Sequence, residues 1–118
     1  MTPYIFKICT QAIWDEAITK GQFDGAGIDL KDGYIHFSTA EQVAETAWLH
    51  FNGLNDLVLV KVRVDGLALK WEESRGGQSF PHLYDALSLE FVEDVFPMPL
   101  ATSGEHVFPN EIPPRRGV

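Results

Sequence analysis

Hydrophobic and polar positions along the chain fall into short segments, each with a recognisable period. Tyr4-Ile5-Phe6-Lys7-Ile8-Cys9 is rich in aromatic and β-branched residues and predicts a first strand. Thr10 then stands as the N-cap of a helix that runs to about Lys20 and stops at Gly21. In that helix Ile13 with Ala17, and Trp14 with Ile18, fall at i,i+4 and form one apolar stripe. Phe23 to Gly33 contains three glycines and three aspartates and predicts loop or turn.

Gly33 to Thr39 alternates as a strand does. Ile35 and Phe37 point to one face, and Tyr34, His36 and Ser38 to the other. A helix follows from Thr39 to about Phe51, with Ser38 and Glu41 spaced as a capping box and Ala44, Ala47, Trp48 and Phe51 on its buried face. Asn52-Gly53 ends it. Leu57 to Val64 is nearly all Leu and Val until Lys61 and Arg63, so it predicts a strand that is central at its start and half exposed later. Asp65-Gly66 turns the chain into a short return strand, Leu67 to Glu72. Glu73 to Gln78 is polar and glycine-rich. Phe80 to Tyr84 is extended, because a residue before proline is pushed out of the helical region. Glu90 to Phe96 predicts a final strand. Beyond it, Pro97, Pro99, Pro109, Pro113 and Pro114 forbid regular structure, so the tail wraps the surface or frays.

Two early helices with five or six strands predict an α+β fold. The strands after Asp56 lack intervening helices, so that half of a split sheet is mostly antiparallel. At 118 residues the chain predicts one domain, residues 1–100, followed by a proline-rich tail, residues 101–118.

Composition narrows the function classes. A net charge of −8 argues against a nucleic-acid partner, which needs a basic face to displace counterions. No run approaches the ~20 apolar residues of a membrane span, so no membrane partner is expected. The start of the chain shows no basic patch followed by an apolar stretch and a small-residue cleavage site, so a cytoplasmic location is expected. The single cysteine, Cys9, closes a strand pattern and is expected as a small core residue rather than a nucleophile. The histidines at 36, 50, 82 and 106 show no metal-ligand spacing, and no metal is expected.

Three constellations could carry chemistry. In the first, His36 stands with Tyr34 and Ser38 on one strand face beside a helix start. Histidine is the side chain most easily tuned to exchange protons near neutral pH; the alternative is a satisfied sheet histidine with Ser38 as a cap. In the second, Trp71 to Ser79, Arg75 offers a forked donor and Gly76-Gly77 lets backbone N–H groups converge on an anion. The alternative there is a hairpin loop whose Arg75 pairs with Glu72 or Glu73. In the third, His82 and Tyr84 share one face while Leu83 enters the core. His82 and His36 then converge on one cleft with Arg75 at its rim, or else His82 and Tyr84 decorate an exposed edge.

Gly33 to Thr39, the following helix, the strand Asp56 to Val64, Lys70-Trp71-Glu72, Ser74-Arg75-Gly76-Gly77 and Phe80-Pro81-His82-Leu83-Tyr84 together resemble the bacterial family designated domain of unknown function 952. The resemblance covers about residues 3 to 97. That family in turn is similar to the ADP-ribosyltransferase fold, including RNA 2'-phosphotransferases that use NAD. There a His-hydrophobic-Ser strand and an alanine-containing helix wall the nicotinamide pocket, a pattern that His36-Phe37-Ser38 and Ala44 fit. Lys7-Ile8 stands where those enzymes carry an NAD-anchoring His-Gly, and neither Glu72 nor Glu90 is assigned to their late catalytic Glu.

The expectation is a cleft for an anionic, nucleotide-like small molecule. His36 and His82 are its candidate acid and base. Arg75, Gly76, Gly77, Ser38, Tyr84, Tyr34 and Lys7 are its candidate ligand contacts. No cofactor is required by the residues themselves, and NAD is the one the resemblance implies, with ADP-ribosyl or related transfer as the reaction. The alternatives are a non-catalytic binding module and a protein–protein adaptor using the tail.

Overall fold

The computed structural model describes residues 3–115, apart from the side chain of Arg75. β1 (Tyr4–Thr10) forms where its pattern places it and is buried on both faces. Thr10 caps α1 (Gln11–Lys20) by accepting the Ile13 N–H at 3.2 Å, and Gly21 ends it in a left-handed conformation with φ 92°. Trp14 and Ala17 reach the core, but Ile18 is 57% exposed. A ten-residue helix lying on one sheet buries only a narrow face, and Ile18 falls beside it rather than within it.

The stretch expected as loop is partly regular. β2 (Gln22–Phe23) pairs with β7 (Leu87–Ser88), and α2 (Ile28–Asp32) is a five-residue helix between Gly27 and Gly33. A helix that short shows no sequence period. β3 (Ile35–His36) is the outer strand of a three-stranded antiparallel sheet with β6 (Ser79–Leu83) in the middle and β5 (Leu69–Glu73) beyond it.

The helix after β3, α3 (Ala40–Phe51), is capped one residue later than expected. Thr39 and Gln42 form the capping box, with the Thr39 N–H donating to Gln42 Oε1 at 3.0 Å. Ser38 is engaged instead with Phe6, in a pair of backbone hydrogen bonds of 2.7 and 2.9 Å. Val43, Ala44 and Ala47 form the buried face of α3, while Trp48 and Phe51 are half-buried.

β4 (Leu57–Arg63) is the central strand of the other sheet, with β1 on one side and β8 (Val92–Pro97) on the other, all antiparallel. Both edges of β4 are therefore occupied. That is why β5 does not return along β4, as expected, but joins β3 and β6.

Alternation in β1 and β4 divides the core. Ile5, Cys9, Val58, Val60 and Val62 pack with Trp14, Phe37 and Leu83 on one side; Phe6, Ile8, Leu57 and Leu59 pack with α3 on the other. Each fully buried large side chain contributes about 1.5–3 kcal/mol. The tail completes the second cluster: Ile112 is buried in it, His106 Nε2 donates to the Leu54 carbonyl at 2.8 Å, and the Arg115 guanidinium lies 4.2 Å over the Trp48 ring. Among the described residues no helix is long and apolar enough to cross a membrane.

Candidate functional site

Lys7 is the first residue that demands explanation. It shares a strand face with Ile5 and Cys9, yet carries a charge that burial disfavours. Its partner is Asp29, on α2, at 2.6 Å, and its ammonium also donates to the His36 carbonyl at 2.9 Å. Asp29 is 2% exposed and accepts four hydrogen bonds. Oδ2 takes Lys7 Nζ and the Ala26 N–H at 2.9 Å; Oδ1 takes the His36 N–H at 3.0 Å and His36 Nδ1 at 2.6 Å. All of its acceptor sites are used. One carboxylate thus ties β1, α2 and β3 together.

Gly25 makes room for it. A Cβ at Gly25 would lie 2.8 Å from the Asp29 Cβ, and Gly25 sits at φ 114°. Burial alone would raise the Asp29 carboxyl, but the Lys7 charge and the hydrogen bonds outweigh it and hold the group below the usual carboxylate range. Burial pushes the Lys7 ammonium down, and Asp29 offsets this only in part. The two directions are compatible, because the carboxylate has four donors and the ammonium two acceptors. Burial likewise pushes the Cys9 thiol up, to about 11. That fits the core role expected of it.

His36 and His82 are directly opposed across β3 and β6, with ring centroids 5.2 Å apart. The two imidazoles are held differently. His36 is clamped at both nitrogens, Nδ1 by Asp29 and Nε2 by Asp32 at 3.0 Å. Carboxylates only accept, so the ring satisfies both contacts only when it carries both protons. His82 is 4% exposed, and its Nδ1 meets Glu72 Oε1 at 2.7 Å. With Nδ1–H donated to that carboxylate, Nε2 is the nitrogen left to face other groups. Among the described residues no buried side-chain nitrogen or oxygen lacks a partner.

Tyr34 lies against both imidazoles, at 4.5 Å from His36 and 4.4 Å from His82, and stacks on Tyr84 at 4.9 Å. The Tyr84 hydroxyl donates to the same Glu72 oxygen at 2.7 Å. These two hydrogen bonds hold Glu72 below its ordinary value. The Glu72 contact pushes Tyr84 up to about 12, and partial desolvation with the negative charge of Asp32 raises Tyr34.

A cavity of roughly 530 Å³ opens between this sheet face and α3. That is the size of a small-ligand site. Of the expected site residues, His36, His82, Ser38 and Lys7 line it; Phe6, Phe80, Thr46 and His50, which the sequence reading did not select, line it too. Ser38 Oγ lies 3.1 Å from Thr46 Oγ1, and Thr46 donates to the Gln42 carbonyl at 3.2 Å. Tyr34 and Tyr84 flank the imidazoles and are not among the described lining residues. Nor are Gly76 and Gly77, which lie in a 3-10 turn, Arg75–Gly77, at φ 65° and 76°. The Arg75 side chain, the expected anion donor, lies outside the described residues. Among the described residues no group of three or more His, Cys, Asp or Glu side chains could hold a metal.

Asp29 is the residue that sequence reasoning missed. Its signal was the spacing Gly25-Ala26-Gly27-Ile28-Asp29, in which glycine permits a close approach. Asp32 was missed too, and Glu72 was weighed only as a partner of Arg75 or as a late catalytic Glu, since a carboxylate facing histidine looks like any surface acid in one dimension.

No curated protein matches the chain. Solved structures do. The crystal structure of protein CC0527 from Caulobacter crescentus is similar with 43% identity and a TM-score of 0.84, covering 88% of this chain and 93% of that one. The solution NMR structure of CC0527 is similar with 45% identity and a TM-score of 0.79, covering 89% and 91%. The family model described as protein of unknown function (DUF952) matches residues 8–95. With that model spanning most of its length, this chain belongs to the DUF952 family.

Proposed function

We propose that the cleft between the β3–β6 face and α3 binds a small anionic, nucleotide-like molecule, with His82 as its proton acceptor and His36 as a charged wall. One observation carries this reading: two imidazoles remote in sequence are cross-strand partners, each backed by a carboxylate, on one cavity. Packing alone gives no reason to set two histidines and three carboxylates together at a partly open face. Perturbed, mutually paired titratable groups in a cleft are the usual mark of a site. Arg75 and the Gly76-Gly77 backbone are the expected holders of negative charge at the rim.

Transfer at the glycosidic carbon of NAD is the specific reaction to assay, and ADP-ribosyl transfer is its named form. It requires an ionised carboxylate facing an oxocarbenium-like transition state. Asp29, Asp32 and Glu72 are each engaged with an imidazole, which favours binding and proton transfer over that reaction. A non-catalytic binding module is the second reading, favoured by the double clamp on His36. An adaptor role has less behind it: of the exposed large apolar residues only Ile28 and Leu30 share a short element, α2, while Ile18, Leu49, Leu54, Trp71, Tyr84 and Val107 come from other segments.

The test is a thermal-shift screen against nucleotides, NAD and sugar phosphates, since a ligand that binds the folded state raises stability by mass action. The expected result is a shift with a phosphate-bearing compound that His82→Gln and Arg75→Ala each abolish. A full shift in both variants overturns the reading.

A further inference from the structure

We infer that the outer edge of β5 pairs antiparallel with the same edge of a second copy of this chain, about a two-fold axis at Trp71, joining the two β3–β6–β5 sheets into one. This surface is separate from the cleft and stands whatever the cleft binds. Backbone direction identifies it. Within a strand, one residue's N–H and C=O point to one edge and its neighbour's to the other. The Pro81 carbonyl accepts the Phe37 N–H at 3.0 Å, so Pro81 faces the β3 side, and Phe80 and His82 face β5. Their partners on β5 are Glu72 and Lys70, whose main chain therefore bonds to β6. The main-chain groups of Leu69, Trp71 and Glu73 point outward. Among the described residues no backbone hydrogen bond reaches these outward groups, and Lys70, Trp71 and Glu73 are exposed. An edge of that kind is a template for another strand.

The sequence of β5, Leu69-Lys70-Trp71-Glu72-Glu73, selects the second strand. A lysine on an edge deters pairing with strands that leave its charge unmet. Run antiparallel against itself with Trp71 opposite Trp71, β5 sets Lys70 opposite Glu72 on both sides of the axis and Leu69 opposite Glu73. The two Trp71 residues then exchange both main-chain hydrogen bonds, and each Leu69–Glu73 pair does the same, so every outward group of β5 is met. Centred on Leu69 or Glu73 instead, the strands overlap only in part and the match of Lys70 with Glu72 is lost. Trp71 is 45% exposed in the single chain, and its indole would be covered at the axis. Opposite charges and paired aromatics are the cross-strand contacts that stabilise sheets, and a self-complementary edge is what a two-fold dimer requires. Lys70 of the second copy also meets Glu72, the carboxylate behind His82, because such non-hydrogen-bonded pairs bring their Cα atoms to about 4.5 Å.

Five paired residues form a small interface, so the dimer is expected to dissociate on dilution. The experiment follows the full chain from about 10 μM to 1 mM by sedimentation equilibrium, with amide hydrogen exchange at both ends of the range. The expected result is a mass rising from 13.2 kDa toward twice that value. In step with it, the Leu69, Trp71 and Glu73 amides become protected, while those of Lys70 and Glu72 are protected throughout by β6. Lys70→Glu sets like charges opposite each other on both sides of the axis and should weaken the dimer roughly fivefold or more. Trp71→Pro deletes the outward N–H at the axis without costing β5 a bond to β6, and should leave a monomer. A chain that stays monomeric at 1 mM with the Trp71 amide exposed overturns the inference. So does a dimer indifferent to Lys70→Glu, or one that forms while the three outward amides still exchange. Protection of those amides by an added extended peptide, with the chain itself monomeric, gives the edge to another occupant and also overturns it. The wild-type exchange pattern and Lys70→Glu decide the matter if Trp71→Pro fails to fold.

Discussion

Removing Asp29 should unfold the candidate site before it alters any chemistry. Asp29→Ala strands the Lys7 ammonium in a buried strand and leaves the Ala26 N–H, the His36 N–H and His36 Nδ1 without their acceptor. Breaking one partner of a buried ion pair costs about 3–5 kcal/mol. Set against the ~5–15 kcal/mol that holds a typical domain folded, that is a large share of the total. Urea unfolding followed by far-UV circular dichroism should therefore show a much lower midpoint. Asp29→Asn keeps the shape and one acceptor oxygen but not the charge, so its loss should be smaller. Combining Asp29→Asn with Lys7→Met removes both charges together, and the double variant should be more stable than the sum of the single losses by at least about 1 kcal/mol. The pH dependence has a fixed sign. Because the folded Asp29 carboxyl lies below its unfolded value, its contribution is fully present above about pH 4 and is lost as pH falls through the folded value. That acid limb should disappear in Asp29→Asn. A loss under about 1 kcal/mol for Asp29→Ala, with additive singles and an unchanged acid limb, would refute the assignment of Asp29 as the hub.

Three further outcomes can be checked. Gly25 and Gly27 both sit at positive φ, but only at Gly25 would a methyl meet a neighbour, the Asp29 Cβ at 2.8 Å, so Gly25→Ala should lose about 1 kcal/mol more than Gly27→Ala; chemical denaturation compares the two. Cys9, buried and with its thiol at about 11, should react with a disulfide reagent at neutral pH only after denaturant is added, and rapid labelling of the native chain would contradict its place in the core. An ultraviolet titration should show one phenol ionising near pH 12, and that step should vanish in Tyr84→Phe; its persistence would mean that Glu72 does not hold the Tyr84 hydroxyl.

Much of the scaffold was legible because it rests on periodic burial. β1, the capped α1, α3 and β4 all announce themselves through spacing. Even the meeting of His36 and His82 followed from placing each on the polar face of an extended segment. The rest depends on contacts that have no period. α2 has only five residues, β2 and β7 two each, so neither a helical nor a strand pattern can build up. The shift of the capping box by one residue was invisible because Ser38 and Thr39 are both good caps. Only the tertiary pairing of Ser38 with Phe6 removes Ser38 from that role. The tail looked like surface wrapping, and Ile112 enters the core only because α3 and β4 leave an apolar face that residues beyond β8 can reach.

The deepest consequence lies in the unequal treatment of the two histidines. A carboxylate behind Nδ1 orients an imidazole and fixes which nitrogen offers a lone pair. His82 has that arrangement alone, while His36 has a second carboxylate, Asp32, at the nitrogen that would otherwise face a ligand. On the reading proposed for the cleft, His36 would act through position, and His82 through the nitrogen that Glu72 leaves unengaged. The two must fail differently. His82→Gln should abolish any proton-dependent step while leaving the β3–α2 junction intact. His36→Gln should loosen α2 through Asp29 and show up first as a loss of stability. If Asp32→Asn released His36 Nε2 and raised a pH-dependent activity, the order of roles would be reversed, and His36 would be the base. Ligand binding and any turnover of these three variants across pH 5–8, with stability measured alongside, separate the cases; a His82→Gln variant with full binding or turnover and an unchanged pH profile would remove His82 from the proposed site altogether.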